Sequence, residues 1–239
     1  MKLFTVLFAT SLAMLLTGCG PSMGEVVLEY KPQFDSLRTD LQAIASELPE
    51  TVVDQQVTQA LDPAPDYNAD DYDGIRNTDI LMYDHLLNPE LDLHDNDQLD
   101  LSLSRYVVKY LNWTGPDYFT SDKRASEDWT AGFEQALAIR YLGVARVGLY
   151  DPPVAVSAES FQGGYAEVDG FLVDMQTKEI LCSFKIAAQP NMTVNYQFKE
   201  GDDPVEALEK FAHSTLWENA RQAFIEKMNE NCGGNFVLK

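Results

Sequence analysis

Carboxylates are the residues best able to do chemistry in this chain of 239 residues, and they are unevenly placed. Between positions 62 and 100 stand twelve Asp and Glu against a single Arg, Arg76, so this stretch holds about half of a formal net charge of −21. Hard oxygen donors on alternate residues are what a calcium loop offers its ion. Asp66, Asn68 and Asp70 occupy the first, third and fifth places of such a loop, with Asp71 and Asp73 following. The pattern departs at the sixth place, where the sharp turn requires Gly and Asp71 stands, and at the twelfth, where a bidentate Glu belongs and Asn77 stands. A second group, Asp92, Asp95, Asp97 and Asp100, lacks the same two residues. The expectation is a solvated acidic loop and no cofactor, with calcium held by Asp66, Asn68, Asp70, Asp71 and Asp73 as the alternative.

Other reactive constellations are incomplete. His85, His94 and His213 are too dispersed for a zinc pattern, although the pairs Asp84-His85 and His94-Asp95 could share a metal. A Gly-x-Ser-x-Gly nucleophile elbow is absent, and the stretch from Gly143 to Gly148 lacks the Lys-Ser/Thr of a phosphate loop. Cys182 and Cys232 do not adjoin a His in sequence. Glu167 and Asp169 share a strand face as an acid/base pair would, yet Phe171 and Val173 continue that face, which reads as an edge or rim position. No catalytic residue is assigned. Nucleic acid is excluded as a partner, because the 17 Lys and Arg are scattered over a strongly negative chain that repels phosphates.

The amino terminus carries the most specific signal. Met1-Lys2 supplies a positive charge, residues 3–16 are almost wholly apolar, and Leu16-Thr17-Gly18-Cys19 follows directly. The apolar run is shorter than the span of about 20 residues that crosses a bilayer, which favours a cleaved signal peptide. The tetrapeptide resembles the lipobox of bacterial lipoproteins. The resemblance implies cleavage before Cys19, diacylglycerol on its sulfur and an acyl chain on the new amine, so that the lipid bilayer is held through Cys19. Two or more acyl chains anchor a protein stably where one does so marginally. Gly20, standing where Asp would retain a lipoprotein at the inner membrane, implies the outer membrane, with the body on the periplasmic side.

Acylation of Cys19 leaves Cys182 and Cys232 as an even pair in an oxidising compartment. Ile180, Cys182, Phe184 and Ile186 alternate along a strand, and Cys232 ends a helix that such a face would receive. The two are either bonded to each other or separate buried thiols.

Phe34, Leu37, Leu41, Ile44 and Leu48 form a helical stripe, with Pro32 in its first turn and Pro49 past its end, preceded by a short strand over 25–30. Ile80, Leu81, Tyr83, Leu86 and Leu87 predict a short helix. Ser102 or Ser104 caps another with Leu103, Val107, Tyr110 and Leu111. The aromatic turn 112–119 is expected to fix itself to the core, with a sugar-stacking platform as the alternative. Ser126 starts a helix; strands follow over 141–150, 165–175, 179–188 and 192–198; Asp203-Pro204-Val205-Glu206 opens a long helix that Gly233-Gly234 closes. Asp174-Met175-Gln176-Thr177-Lys178-Glu179 resembles a turn of several envelope lipoproteins with small α+β domains, among them penicillin-binding-protein activators and curli-secretion lipoproteins, with Lys178 where Gly is usual.

The order of elements predicts an α+β fold: a four-stranded antiparallel sheet with helices on one face, preceded by a mainly helical, acidic half. The expected organisation is a signal peptide over 1–18, an acylated anchor and linker over 19–31, a helical acidic region over 32–125 and an α+β sandwich over 126–239. The function expected is that of an outer-membrane lipoprotein acting as a non-enzymatic binding or adaptor module toward a periplasmic protein or peptidoglycan. The alternative is an envelope hydrolase or metal-binding protein using residues 62–100.

Overall fold

Ser22 opens the first helix, α1 (Met23–Glu47), through a reciprocal cap: its Oγ accepts from the Glu25 N–H, and its own N–H donates to the Glu25 carboxylate at 2.7 Å. This is a computed structural model, and it describes residues 20–68, 77–91, 99–102, 106–191, 201 and 203–237. The strand expected over 25–30 is helix instead. Val26, Val27 and Tyr30 extend the buried stripe of Phe34, Leu41 and Ile44 upward, and burial of that stripe outweighs the roughly 3 kcal/mol that an interior proline, here Pro32, costs a helix. Pro32 therefore lies inside α1 and does not open it.

Two short pieces follow: strand β1 (Asp66–Asn68), and strand β2 (Thr78–Met82) running directly into helix α2 (Tyr83–Leu87). The short helix expected around Ile80 thus splits in two. All five residues of β2 are buried, so no in-out alternation marks it as a strand in the sequence. Helix α3 (Tyr106–Trp113) comes next, and the Val107 N–H in its first turn donates to the buried Asp79 carboxylate of β2 at 3.2 Å. Helix α4 (Glu127–Leu137) then leads to strand β3 (Tyr141–Asp151).

A small hairpin, β4 (Val154–Ser157) with β5 (Ser160–Gln162), precedes β6 (Tyr165–Asp174) and β7 (Ile180–Ala188). Helix α5 (Pro204–Cys232) begins where expected, with Asp203 accepting from the Val205 N–H, and ends at Gly233 in the left-handed conformation, φ +66°. Strand β8 (Asn235–Val237) then pairs in parallel with β1. The hairpin β4–β5 and the β1–β8 pair have no counterpart in the sequence reading.

The main sheet has the order β2-β3-β6-β7. Its last three strands are antiparallel, as expected, but β2 runs parallel to β3, so the sheet is mixed. The connection explains the direction: β2 and β3 are joined by a helical crossover long enough to return the chain in the same sense, which a tight hairpin is not. The strand expected over 192–198 lies outside the described residues.

Helices cover both faces of the sheet, against the expectation of one. Ile80, Met82, Leu172 and Phe184 lie against Leu216, Ala220 and Phe224 of α5. Their neighbours in sequence, Leu81, Phe171 and Val173 with Leu142 and Val144, lie against Phe34 and Leu41 of α1, Leu111 of α3 and Phe133 of α4. A strand buried on both faces reads as a continuous apolar run, and Phe171-Leu172-Val173 is such a run. The architecture is an α+β fold in three layers.

Candidate functional site

The described residues begin at Gly20, one residue after Cys19. Pro21, Met23 and Gly24 are held against residues 121–125: the Ala125 N–H donates to Pro21 O at 2.9 Å, the Met23 N–H to Lys123 O at 2.7 Å and the Gly24 N–H to Ser121 O at 3.0 Å. The chain at this end is therefore fixed to the fold by backbone bonds, and the segment expected as a linker over 19–31 is in its described part cap and helix.

A groove of about 290 Å³ opens between α1, the α4–β3 connection and the turn after β6. Leu41, Val107 and Leu142 line it, and Gln33, Gln176 and the ion pair of Lys178 with Asp40, at 2.7 Å, lie along it. The turn is the Asp174-to-Glu179 hexapeptide. Asp174 organises it by accepting from the Gln176 and Thr177 N–H groups at 2.8 and 3.2 Å, while its other oxygen takes Arg140 Nη2 at 2.5 Å. Lys178 stands there at φ +64°, the left-handed conformation that Gly adopts without strain. The groove is of mixed lining, with polar side chains exposed along it and buried apolar residues beneath.

A second cleft, about 410 Å³, is lined by Lys31, Arg38, Asn88 and Glu90. Its cations are engaged by the end of α3: Lys31 donates to Thr114 O at 2.8 Å and Arg38 to Leu111 O at 2.6 Å, and both pair with Asp35. They tie α1 to α3, as basic groups at a helix C-terminus do.

Of the residues proposed for calcium, Asp66 and Asn68 lie on β1, an extended strand paired with β8, where the Asn235 amide donates to the Asp66 carboxylate at 3.4 Å. Asp70, Asp71 and Asp73 lie outside the described residues. Among the described residues no three His, Cys, Asp or Glu gather as metal ligands would. His85 is buried with both ring nitrogens engaged, Nδ1 facing Ser102 Oγ at 3.3 Å and Nε2 facing Leu91 O at 3.2 Å. This Ser-His contact, invisible in the sequence, is the arrangement of a nucleophile and its base, but both side chains are sealed in the fold.

Glu167 and Asp169 do not act as a pair. Strand β6 lies inside the sheet, not at its edge; Asp169 binds Arg146 at 2.8 Å, and Glu167 accepts from the Tyr165 hydroxyl at 2.7 Å. That hydrogen bond to Glu167 holds the Tyr165 phenol above its ordinary range. Arg146 also donates to Pro49 O at 2.8 Å, latching the end of α1 to the sheet, a role that nothing around residue 146 in the sequence signals.

Cys182 and Cys232 are bonded, with Cα atoms 5.4 Å apart and both side chains fully buried. The bond joins β7 to the last turn of α5. The aromatic turn is held as expected: Trp113 stacks on Trp129 of α4 at 4.5 Å between ring centroids, and Phe119 lies 5.7 Å from each. The chain matches no protein-family model, and no curated protein matches it.

Proposed function

We propose that the chain is an envelope lipoprotein, anchored at the periplasmic face of the outer membrane through acylated Cys19, whose body binds a periplasmic protein or peptidoglycan without catalysing a reaction. The observation that carries the reading is the order of the first residues: an apolar leader is followed by the lipobox-like Leu16-Thr17-Gly18-Cys19, and the cap of α1 at Ser22 stands three residues on. The buried Cys182–Cys232 bond supports it, because such bonds persist in oxidising compartments. The groove beside the Asp174-to-Glu179 turn is the surface we assign to the partner, since it is concave and offers polar and apolar side chains together.

In-cell photocrosslinking tests this function. A photoreactive amino acid placed at exposed Gln33 and Gln176, on opposite sides of the groove, is expected to capture the same envelope protein or peptidoglycan fragment. The same probe at exposed Glu226 on α5 is expected not to capture it. Membrane-bound protein that captures nothing recurrent from either groove position contradicts the assignment.

A further inference from the structure

Because the backbone is hydrogen-bonded up to Pro21, two residues after Cys19, the acyl chains on Cys19 would emerge close to a defined place on the surface. The Cα of Cys19 is about 3.8 Å from that of Gly20 across one trans peptide. The body at this end must therefore sit at the depth of the lipid headgroups. Around that point stand exposed aromatic, apolar and basic side chains.

Phe119, 39% exposed, projects two residues before Ser121, whose carbonyl binds the first turn of α1. Behind it stand the half-buried indoles of Trp113 and Trp129. Leu28, 49% exposed, follows Gly24 by one helical turn on the same face, the face that meets Thr120 and Ser121. Lys123 and Arg124 are exposed, and the Arg124 guanidinium lies beside Gly20, 3.2 Å from where a Cβ would stand. Aromatic rings settle at the headgroup level, and Lys and Arg stems lie along apolar surface with their charges among phosphates.

We infer that this end of the molecule, formed by the start of α1, residues 119–125 and the start of α4, is a membrane-docking face that lies flat on the lipid surface and fixes the orientation of the anchored protein. The inference rests on the acylation of Cys19 proposed above. The same segments also carry Glu25, Glu29, Asp117, Asp122, Glu127 and Asp128, with Glu25 engaged in the α1 cap. General attraction to anionic lipid is therefore not the driving term. The acyl chains bring the face to the bilayer, and the aromatic and apolar side chains hold it there. The groove beside Lys178 and the acidic β1 region are left to face the periplasm.

Tryptophan quenching tests the docking. Full-length acylated protein is placed in vesicles of phosphatidylethanolamine and phosphatidylglycerol with brominated acyl chains. In Trp217→Phe, emission from Trp113 and Trp129 is expected to fall about twofold or more relative to unbrominated vesicles, as rings at interfacial depth would. In Trp113→Phe/Trp129→Phe, emission from Trp217 on α5 is expected to stay unchanged. As a second measurement, a thiol in Lys123→Cys is expected to react several-fold more slowly with a water-soluble maleimide in vesicles than in detergent, whereas one in Glu226→Cys reacts equally in both. Intact mass on the same samples separates the two claims. Acylated protein with neither quenching nor protection overturns the docking face and leaves the lipoprotein reading standing; protein without acyl mass overturns both.

Discussion

Cys182 and Cys232 close a loop of 50 residues, and both sulfurs lie where water does not reach. In the chain-entropy description a link of that separation stabilises by about 4 kcal/mol. Cys182→Ala/Cys232→Ala is expected to lose at least about that much in urea unfolding, since it also empties core volume; an unchanged midpoint would show that the bond constrains nothing. Tyr67 offers a second test. Burial, with the Asp79 charge adding to it, pushes its phenol from the ordinary value of 10.0 up to about 12. The unfolded chain ionises first, so the stability Tyr67 contributes is complete below pH 10 and is lost as pH rises through about 12. Unfolding free energy should fall more steeply over that window in the wild type than in Tyr67→Phe, and parallel curves would contradict the assignment. The pairing of the cysteines was half legible, because alternation along residues 180–186 placed one sulfur on an apolar face. The Ser102–His85 contact and the Arg146 latch were not, because each joins segments far apart in sequence that only the fold brings together.

Elements were legible where local chemistry marks their ends. Asp203-Pro204 and Gly233-Gly234 bound α5 because cap, proline and left-handed glycine act within a few residues of each other. Strand β2 was hidden because both its faces are buried, and the start of α1 was misplaced because proline was read as a beginning. The Asp174-to-Glu179 turn joins the two cases. Lys178 stands there at the left-handed φ of +64°, a conformation that Gly adopts without strain. A side chain in this conformation costs about 1–2 kcal/mol, whereas the half-exposed pair with Asp40 returns at most about 1 kcal/mol. Lys178→Gly is therefore expected to be the most stable of three proteins and Lys178→Ala the least, with wild type between them, in thermal unfolding. Alanine equal to glycine would mean that the backbone there is not strained.

At the scale of the whole molecule, the chain of net charge −21 carries exposed Lys123 and Arg124 beside Gly20. In the proposed reading, acylation, docking and partner binding fall on separate surfaces: Cys19 at one end, the aromatic face around it, and the groove between α1 and the Asp174-to-Glu179 turn. Intact-mass analysis of the protein purified from membranes of cells expressing the full chain tests the proposed anchor. The expected result is a mature protein that begins at Cys19, carries diacylglycerol and an amide-linked acyl chain, and becomes water-soluble and unmodified in Cys19→Ala. A mature protein that begins elsewhere, or that leaves the membrane without detergent and bears no lipid, would contradict it.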